Sequence, residues 1–260
     1  MRKFYAALKS LVLREFTKDL NNPGRLISVV MFPLFTIGIL GRGFDALGGS
    51  DLFSSAEFIF TGIIIQEPFA QAFRAVLDIA REREEGLTQE LMVAPIPKLV
   101  ILLGKIFGSI PIGLTQALAV LILGVILRVG VEWWQALTIL AFVPFACLAG
   151  GAFGVLAVSF LQTARSVTDF AQVFFFPQFF LAGVFVPLTT FPEVIQVLAR
   201  CLPLTYVIEI TRHLYFQDEP EVLAAVTNAP LWVSSAVLTV MTGLLLLIGT
   251  RRFVYRETHK

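Results

Sequence analysis

REREEGLTQELMVAPIPK, Arg81 to Lys98, is a polar island between two long apolar blocks. It holds seven charged side chains, Arg81, Glu82, Arg83, Glu84, Glu85, Glu90 and Lys98. Its first half has helix-forming composition, and its end is punctuated by Pro95 and Pro97, which cannot donate backbone hydrogen bonds. A turn between two membrane spans needs only a few polar residues. A run of this length is expected to form a short helix over 81–98 that lies along the membrane face, held at both ends by spans.

The blocks on either side set the class. Of 260 residues, 57% are hydrophobic and 15% charged, with a mean hydropathy of +0.81, against roughly 25% charged for a soluble domain. The apolar residues come in long runs without a regular wet face, so the fold class is all-α integral membrane. A net charge of +1 gives no reason to expect a nucleic-acid partner. Cys147 and Cys201 fall on segments expected to lie far apart and make no disulfide framework. The first 25 residues show no cleavable signal pattern. They read as an amphipathic interface helix, with Phe4, Tyr5, Leu8, Leu11, Val12, Phe16 and Leu20 on one broad arc, broken by Asn21-Asn22-Pro23-Gly24.

Residues 26–250 are expected to form a domain of six transmembrane helices. The first is Leu26 to Leu40, continuing towards Phe44 because fifteen residues give only about 22 Å of helix against a core of ~30 Å. Gly41 to Ala56 reads as a loop, and Phe58 to Leu77 as the second span. The third is Leu99 to Leu127, long enough to tilt or bend at Pro111. The fourth is Ala136 to Phe160, behind Trp133 and Trp134 at interface depth. The fifth is Val167 to Val186 and the sixth Pro230 to Thr250, with 251–260 as a tail. Between the last two, 187–229 is neither loop nor span. Glu193 to Cys201 and Thr205 to Phe216 are too short to cross, and each follows a proline that suits a helix start, Pro192 and Pro203. An extracytoplasmic re-entrant helical hairpin is the expected form.

Lys and Arg set the orientation. With both termini inside, the cytoplasmic segments hold 14 of the 20 and the outer segments four, Arg42, Arg128, Arg200 and Arg212, a strong positive-inside bias. The polar island is then cytoplasmic and the hairpin extracytoplasmic.

Little in the chain points to chemistry of its own. His213 and His259 sit in no metal-ligand spacing, and Gly104-Lys105 lacks the glycine and hydroxyl of a phosphate loop. Neither a metal nor a cofactor is expected in this chain. The informative oddity is in the second span, where Glu67, Gln71, Arg74 and Asp78 fall within about 60° of one another on a helical wheel. Ionisable groups at the bilayer centre cost about 2.5–3.5 kcal/mol each on insertion scales, so this stripe must face another helix or water. It either locks spans together, Glu67 to Arg74 to Asp78, or lines a polar pathway or a dimer seam. Phe170, Phe174, Phe175, Phe176, Phe179, Phe180 and Phe185 crowd the fifth span, as core or as a greasy wall beside amphiphilic cargo.

Two separated stretches carry a resemblance. Arg81-Glu82-Arg83-Glu84-Glu85-Gly86, continuing to Leu91-Met92-Val93-Ala94-Pro95-Ile96, resembles the segment between the second and third spans of type-2 ATP-binding-cassette (ABC) exporter permeases. Leu181-Ala182-Gly183-Val184-Phe185-Val186-Pro187, then Pro192, Pro203-Leu204-Thr205-Tyr206 and Arg212, is similar to the fifth-span exit and outer helices of the same family. The nearest flavour is the drug, lipid or oligosaccharide efflux branch, daunorubicin-exporter-like or nodulation-factor-exporter-like. In two places the sequence departs from the family's usual pattern, with Gly86-Leu87-Thr88-Gln89-Glu90 for the commoner Gly-Thr-Leu-Glu, and Ala182 for a common serine.

The resemblance implies a coupling helix that docks on a separate ATPase through Glu82, Arg83, Glu84, Glu85, Gly86, Thr88, Gln89 and Glu90. It also implies an outer gate at Gly183, Phe185, Pro187, Pro203, Tyr206 and Arg212. ATP and Mg would be bound by two ATPase subunits, and a second permease copy, identical or a close relative, would complete the pathway in a bacterial-type plasma membrane among its lipids. The expected function is export of an amphiphilic, lipid-linked, glycan or drug-like substrate. The competing expectation is a self-sufficient secondary transporter or channel that uses the Glu67–Asp78 stripe. An intramembrane hydrolase lacks any Ser/His pairing in the spans.

Overall fold

In a computed structural model of the chain, the described residues are 12–13, 17, 23–48, 52–84, 98–161 and 163–258. The amphipathic start therefore lies almost wholly outside the described residues, as do residues 85–97 of the polar island. Everything else regular is helical, with no strand among the described residues.

The first crossing is composite. Helix α1 (Pro23–Pro33) passes into a π-helical segment, Leu34–Gly41, and then into α2 (Arg42–Ala46). The wide turns begin after Pro33, on its C-terminal side, so the missing proline N–H, which acts on the turn before it, does not account for them. The expected loop from Gly41 is thus corrected: helix runs on to Ala46, as the length argument for the first span required. Helix α3 (Ser55–Glu84) is one continuous rod of 30 residues, about 45 Å long at 1.5 Å per residue. It is the buried centre of the molecule, with Phe58, Ile59, Phe60, Ile63, Ile64, Ile65, Phe69 and Phe73 all at most 1% exposed.

Helices α4 (Lys98–Ile126) and α5 (Trp133–Phe160) pack on α3. Pro111 is accommodated within α4. The helix expected from Ala136 starts three residues earlier, at Trp133, since Glu132 N–H donates to Gln135 Oε1 at 2.8 Å and closes the first turn. Three pieces then form the fifth element: α6 (Ala164–Phe170), a π-helical segment Ala171–Phe175, and α7 (Phe176–Leu181) with Pro177 in its first turn. A short 3-10 turn, Leu188–Thr190, leads to α8 (Glu193–Arg200) and α9 (Pro203–Tyr215), which meet at a bend of 91°. Helix α10 (Pro220–Val226) was not expected. Helix α11 (Leu231–Thr258) runs past Thr250, so the stretch expected as a tail is helical to Thr258.

Among the described residues, four stretches are long and apolar enough to cross a membrane: Val29–Ala46, Leu99–Ile126, Trp133–Phe160 and Pro220–Arg256. A fifth is reached if the bent pair α8–α9 counts as one span. The rod α3 is not among them, its apolar run being interrupted by Gln66, Glu67, Pro68, Gln71 and Arg74, and the broken fifth element offers no single long piece. The closest packing is between α3 and α5. At that crossing a Cβ on Gly150 would sit 2.1 Å from the Phe69 carbonyl oxygen, a backbone approach that only glycine permits.

Candidate functional site

The charged stripe of α3 divides into two unlike parts. Gln71 is fully buried and accepts a hydrogen bond from Gln116 Nε2 of α4 at 3.4 Å, so it faces a neighbouring helix. Glu67 and Arg74 pair at 3.8 Å, with the Arg74 side chain 42% exposed against 12% for Glu67. Asp78 meets Arg81 at 3.8 Å. On a rod otherwise enclosed by neighbours, Glu67, Arg74 and Asp78 mark the side where one chain leaves it partly uncovered.

Beside that stripe, the aromatic residues of the fifth element form a connected series. Phe73 of α3 stacks on Phe153 at 5.3 Å and on Phe175 at 5.6 Å. Phe175 meets Phe179 edge-on at 5.6 Å, and Phe185 lies 6.5 Å from Phe179 and 5.3 Å from Phe180. Phe32 of α1 also packs on Phe179 at 5.5 Å. The series begins in the core at Phe73 and ends at Phe180, which is 50% exposed. It therefore serves as core at one end and as open apolar surface at the other.

At the far end of the fifth element the expected gate residues come together in part. Gly183 has φ +79°, the left-handed region in which glycine is at ease. Its carbonyl is turned onto Arg212 Nη2 at 2.6 Å. Arg212, 1% exposed, also donates to the Val226 carbonyl at 3.4 Å and lies with its guanidinium carbon 3.8 Å from the Phe58 ring centroid. One side chain thus ties α9, the turn at Gly183, α10 and the rod α3. Glu209, one turn earlier on α9, accepts from Ser234 Oγ at 2.7 Å and from Asn228 N and Nδ2 at 3.1 and 3.2 Å. Pro203 opens α9 as its first residue. The corner before it is closed by Thr205 Oγ1 donating to Ala199 O at 2.6 Å and Tyr206 Oη donating to Arg200 O at 2.8 Å. Phe185 packs back on the aromatic series, while Pro187 stands at the start of the Leu188–Thr190 turn.

The polar island looks different from its expected form. Arg81, Glu82, Arg83 and Glu84 are not the start of a separate helix: they are the last turn of α3. Glu82 is 4% exposed and accepts from Lys105 Nζ of α4 at 2.7 Å, with Lys105 also 4% exposed. It is turned inward and removed from the side chains that a docking partner could touch. Glu84 Oε1 accepts from the Ala164 N–H at 2.8 Å, and Arg81 Nη2 donates to Thr168 Oγ1 at 3.0 Å. Glu85, Gly86, Thr88, Gln89 and Glu90 lie outside the described residues. The Lys105 pairing was missed because its two members are 23 residues apart. The one available signal was a lone lysine in an apolar helix, which in a membrane needs a buried partner.

A helical assembly with several apolar crossings around a rod bearing ionisable side chains is a polytopic membrane protein. Its sequence assigns it more closely: residues 6–216 match the ABC-2 type transporter family, and the chain belongs to that family. Among its relatives is "Inner membrane transport permease YadH" of Escherichia coli, 28% identical over 82% of this chain and 84% of that protein. "Putative transport permease ycf38" of Cyanophora paradoxa is 28% identical over 82% and 75% respectively. "Probable multidrug ABC transporter permease YbhR" of Escherichia coli is 30% identical over 64% of this chain but 44% of its own length.

Proposed function

We infer that this chain is the permease subunit of an ATP-driven exporter, working with a separate ATPase that binds ATP and Mg. The observation that carries the reading is the family match across residues 6–216, joined to a central rod, α3, that runs directly into the polar segment after Glu84. A rigid rod displaced at that end conveys movement along its length, provided the partner binds it differently in two nucleotide states. Six crossings, with α3 and the broken fifth element as the second and fifth, enclose half a pathway. Two copies, or one copy and a relative, together with two ATPases, complete it. The partly exposed Arg74, paired with the largely covered Glu67, and the aromatic series from Phe175 to Phe180 face that pathway. They suit an amphiphile with an apolar body and a polar head, such as a lipid-linked, glycan or drug-like molecule. Gly183, Phe185, Pro187, Pro203, Tyr206 and Arg212 form its outer end. The Lys and Arg bias supports an arrangement with both termini in the cytoplasm, and the membrane is of the bacterial inner type.

Copurification tests this. Detergent-extracted protein is expected to bring down a soluble ATPase, and Glu85→Lys with Glu90→Lys to lower its recovery at least tenfold without lowering the yield of permease. The partly uncovered Arg74 also suits a carrier driven by an ion gradient. If no ATPase is recovered, and transport in vesicles stops only when the proton gradient is collapsed, that second reading replaces the first.

A further inference from the structure

The last turn of α3 has three polar side chains that reach three places on two other helices. Glu82 holds Lys105 of α4 at 2.7 Å in a pair almost sealed from solvent. Glu84 accepts from the first amide of α6, Ala164, at 2.8 Å. Arg81 donates to Thr168, one turn further along α6, at 3.0 Å. None of these contacts is needed to make α3 helical, and all sit within one turn of the segment expected to meet the ATPase. A surface ion pair would be worth little and would slip. An ion pair with both charges buried is different, because separating it strands a charge and the two helices are held in one register. An exposed carboxylate that accepts from a helix's first N–H satisfies a group the helix cannot satisfy itself.

We propose that Arg81, Glu82 and Glu84 are positioning residues that divide the motion of the coupling segment between two helices, Glu82 through Lys105 into α4, and Arg81 with Glu84 through Thr168 and Ala164 into α6. This rests on the permease reading above. The π-helical segment Ala171–Phe175 directly follows α6. A helix with a wide turn changes register more readily than a uniform one. Displacement at Ala164 is therefore taken up there, next to Phe175, which stacks on Phe73 at 5.6 Å. The aromatic series then shifts relative to the rod. The same acidic residues that look like docking groups in the sequence thus act on the permease's own helices.

The test uses the permease–ATPase complex isolated by the copurification above, with Cys147→Ala and Cys201→Ser removing both native thiols. Spin labels at Thr189→Cys, beyond the fifth element, and at Trp133→Cys, 79% exposed at the start of α5, report the distance between them with and without ATP and vanadate. The unaltered hub is expected to give a nucleotide-dependent change in that distance. In Glu82→Gln and in Glu84→Ala the change per ATP hydrolysed is expected to fall below half. The exchange Glu82→Lys with Lys105→Glu is expected to restore most of it. A purely structural pair would lower yield or melting temperature and leave the change per ATP hydrolysed intact. Should Glu82→Gln fail to fold, Glu84→Ala decides alone, since Glu84 is exposed. A full distance change in the variants, or none in the parent complex, overturns the proposal while leaving the permease reading standing. Absence of any ATPase in the pull-down removes both.

Discussion

Gly150→Ala is expected to be the most damaging added methyl among the described glycines. The added carbon would stand 2.1 Å from the Phe69 carbonyl oxygen and 2.8 Å from its carbonyl carbon. No rotamer relieves a clash with backbone, so α5 must back away from α3 along their shared length. Overpacking of this kind costs about 1–3 kcal/mol and sometimes more, and here the displaced surface is the most extensive helix contact described. A thermal melt in detergent should fall by several degrees, with much of the protein lost to aggregation. Gly243, with nothing within 4 Å of its would-be Cβ, provides the control: Gly243→Ala should leave the melt unchanged or slightly raised, since alanine favours the helix by roughly 1 kcal/mol.

Arg212→Leu is expected to free the outer end of the fifth element. It removes two hydrogen bonds from a charged donor, each worth about 1.5–3 kcal/mol, and leaves the carbonyls of Gly183 and Val226 facing an apolar side chain. The loss should be on the order of 3 kcal/mol, the low end for the two bonds together, since the substitution also removes the cost of burying a charge. Lysine should not rescue it, because an ammonium on a flexible stem cannot span two carbonyls and lie flat on Phe58 as a guanidinium does. Hydrogen exchange at residues 182–188 is the measurement. The Gly183 and Val184 amides, held by Phe180 O at 3.3 Å and Phe179 O at 3.4 Å, should exchange at least tenfold faster. Unchanged exchange there would show that the turn stands without its tie.

How much of this was readable in the chain depended on the range of the interaction. Pro192 and Pro203 located α8 and α9 to within two residues, because a proline at a helix start acts on its own backbone. The first span's need for more residues than Leu26 to Leu40 was a matter of length alone, and helix to Ala46 supplies them. What failed needed knowledge of neighbours. Arg81–Glu84 have the composition of a surface helix, and nothing local says that they extend α3 or that Glu82 turns inward to Lys105. The role of Arg212 in joining four elements could not be read either, although the residue itself was picked out. Nor could the end of α11, where Arg251 and Arg252 look like the usual stop at a membrane surface. Arg252 instead lies over Phe160 at 3.9 Å, so the helix has something to hold and continues.

The end of α5 has a further property. Its final carbonyls, Ser159 O and Phe160 O, accept from Arg256 Nη1 at 2.6 and 3.1 Å, and Arg256 lies 97 residues after Ser159. A ribosome must therefore finish nearly a hundred further residues before those oxygens meet their donor. Until then water or headgroups have to serve them, so α5 is in place well before it is tied, and the final knot is made only as α11 arrives.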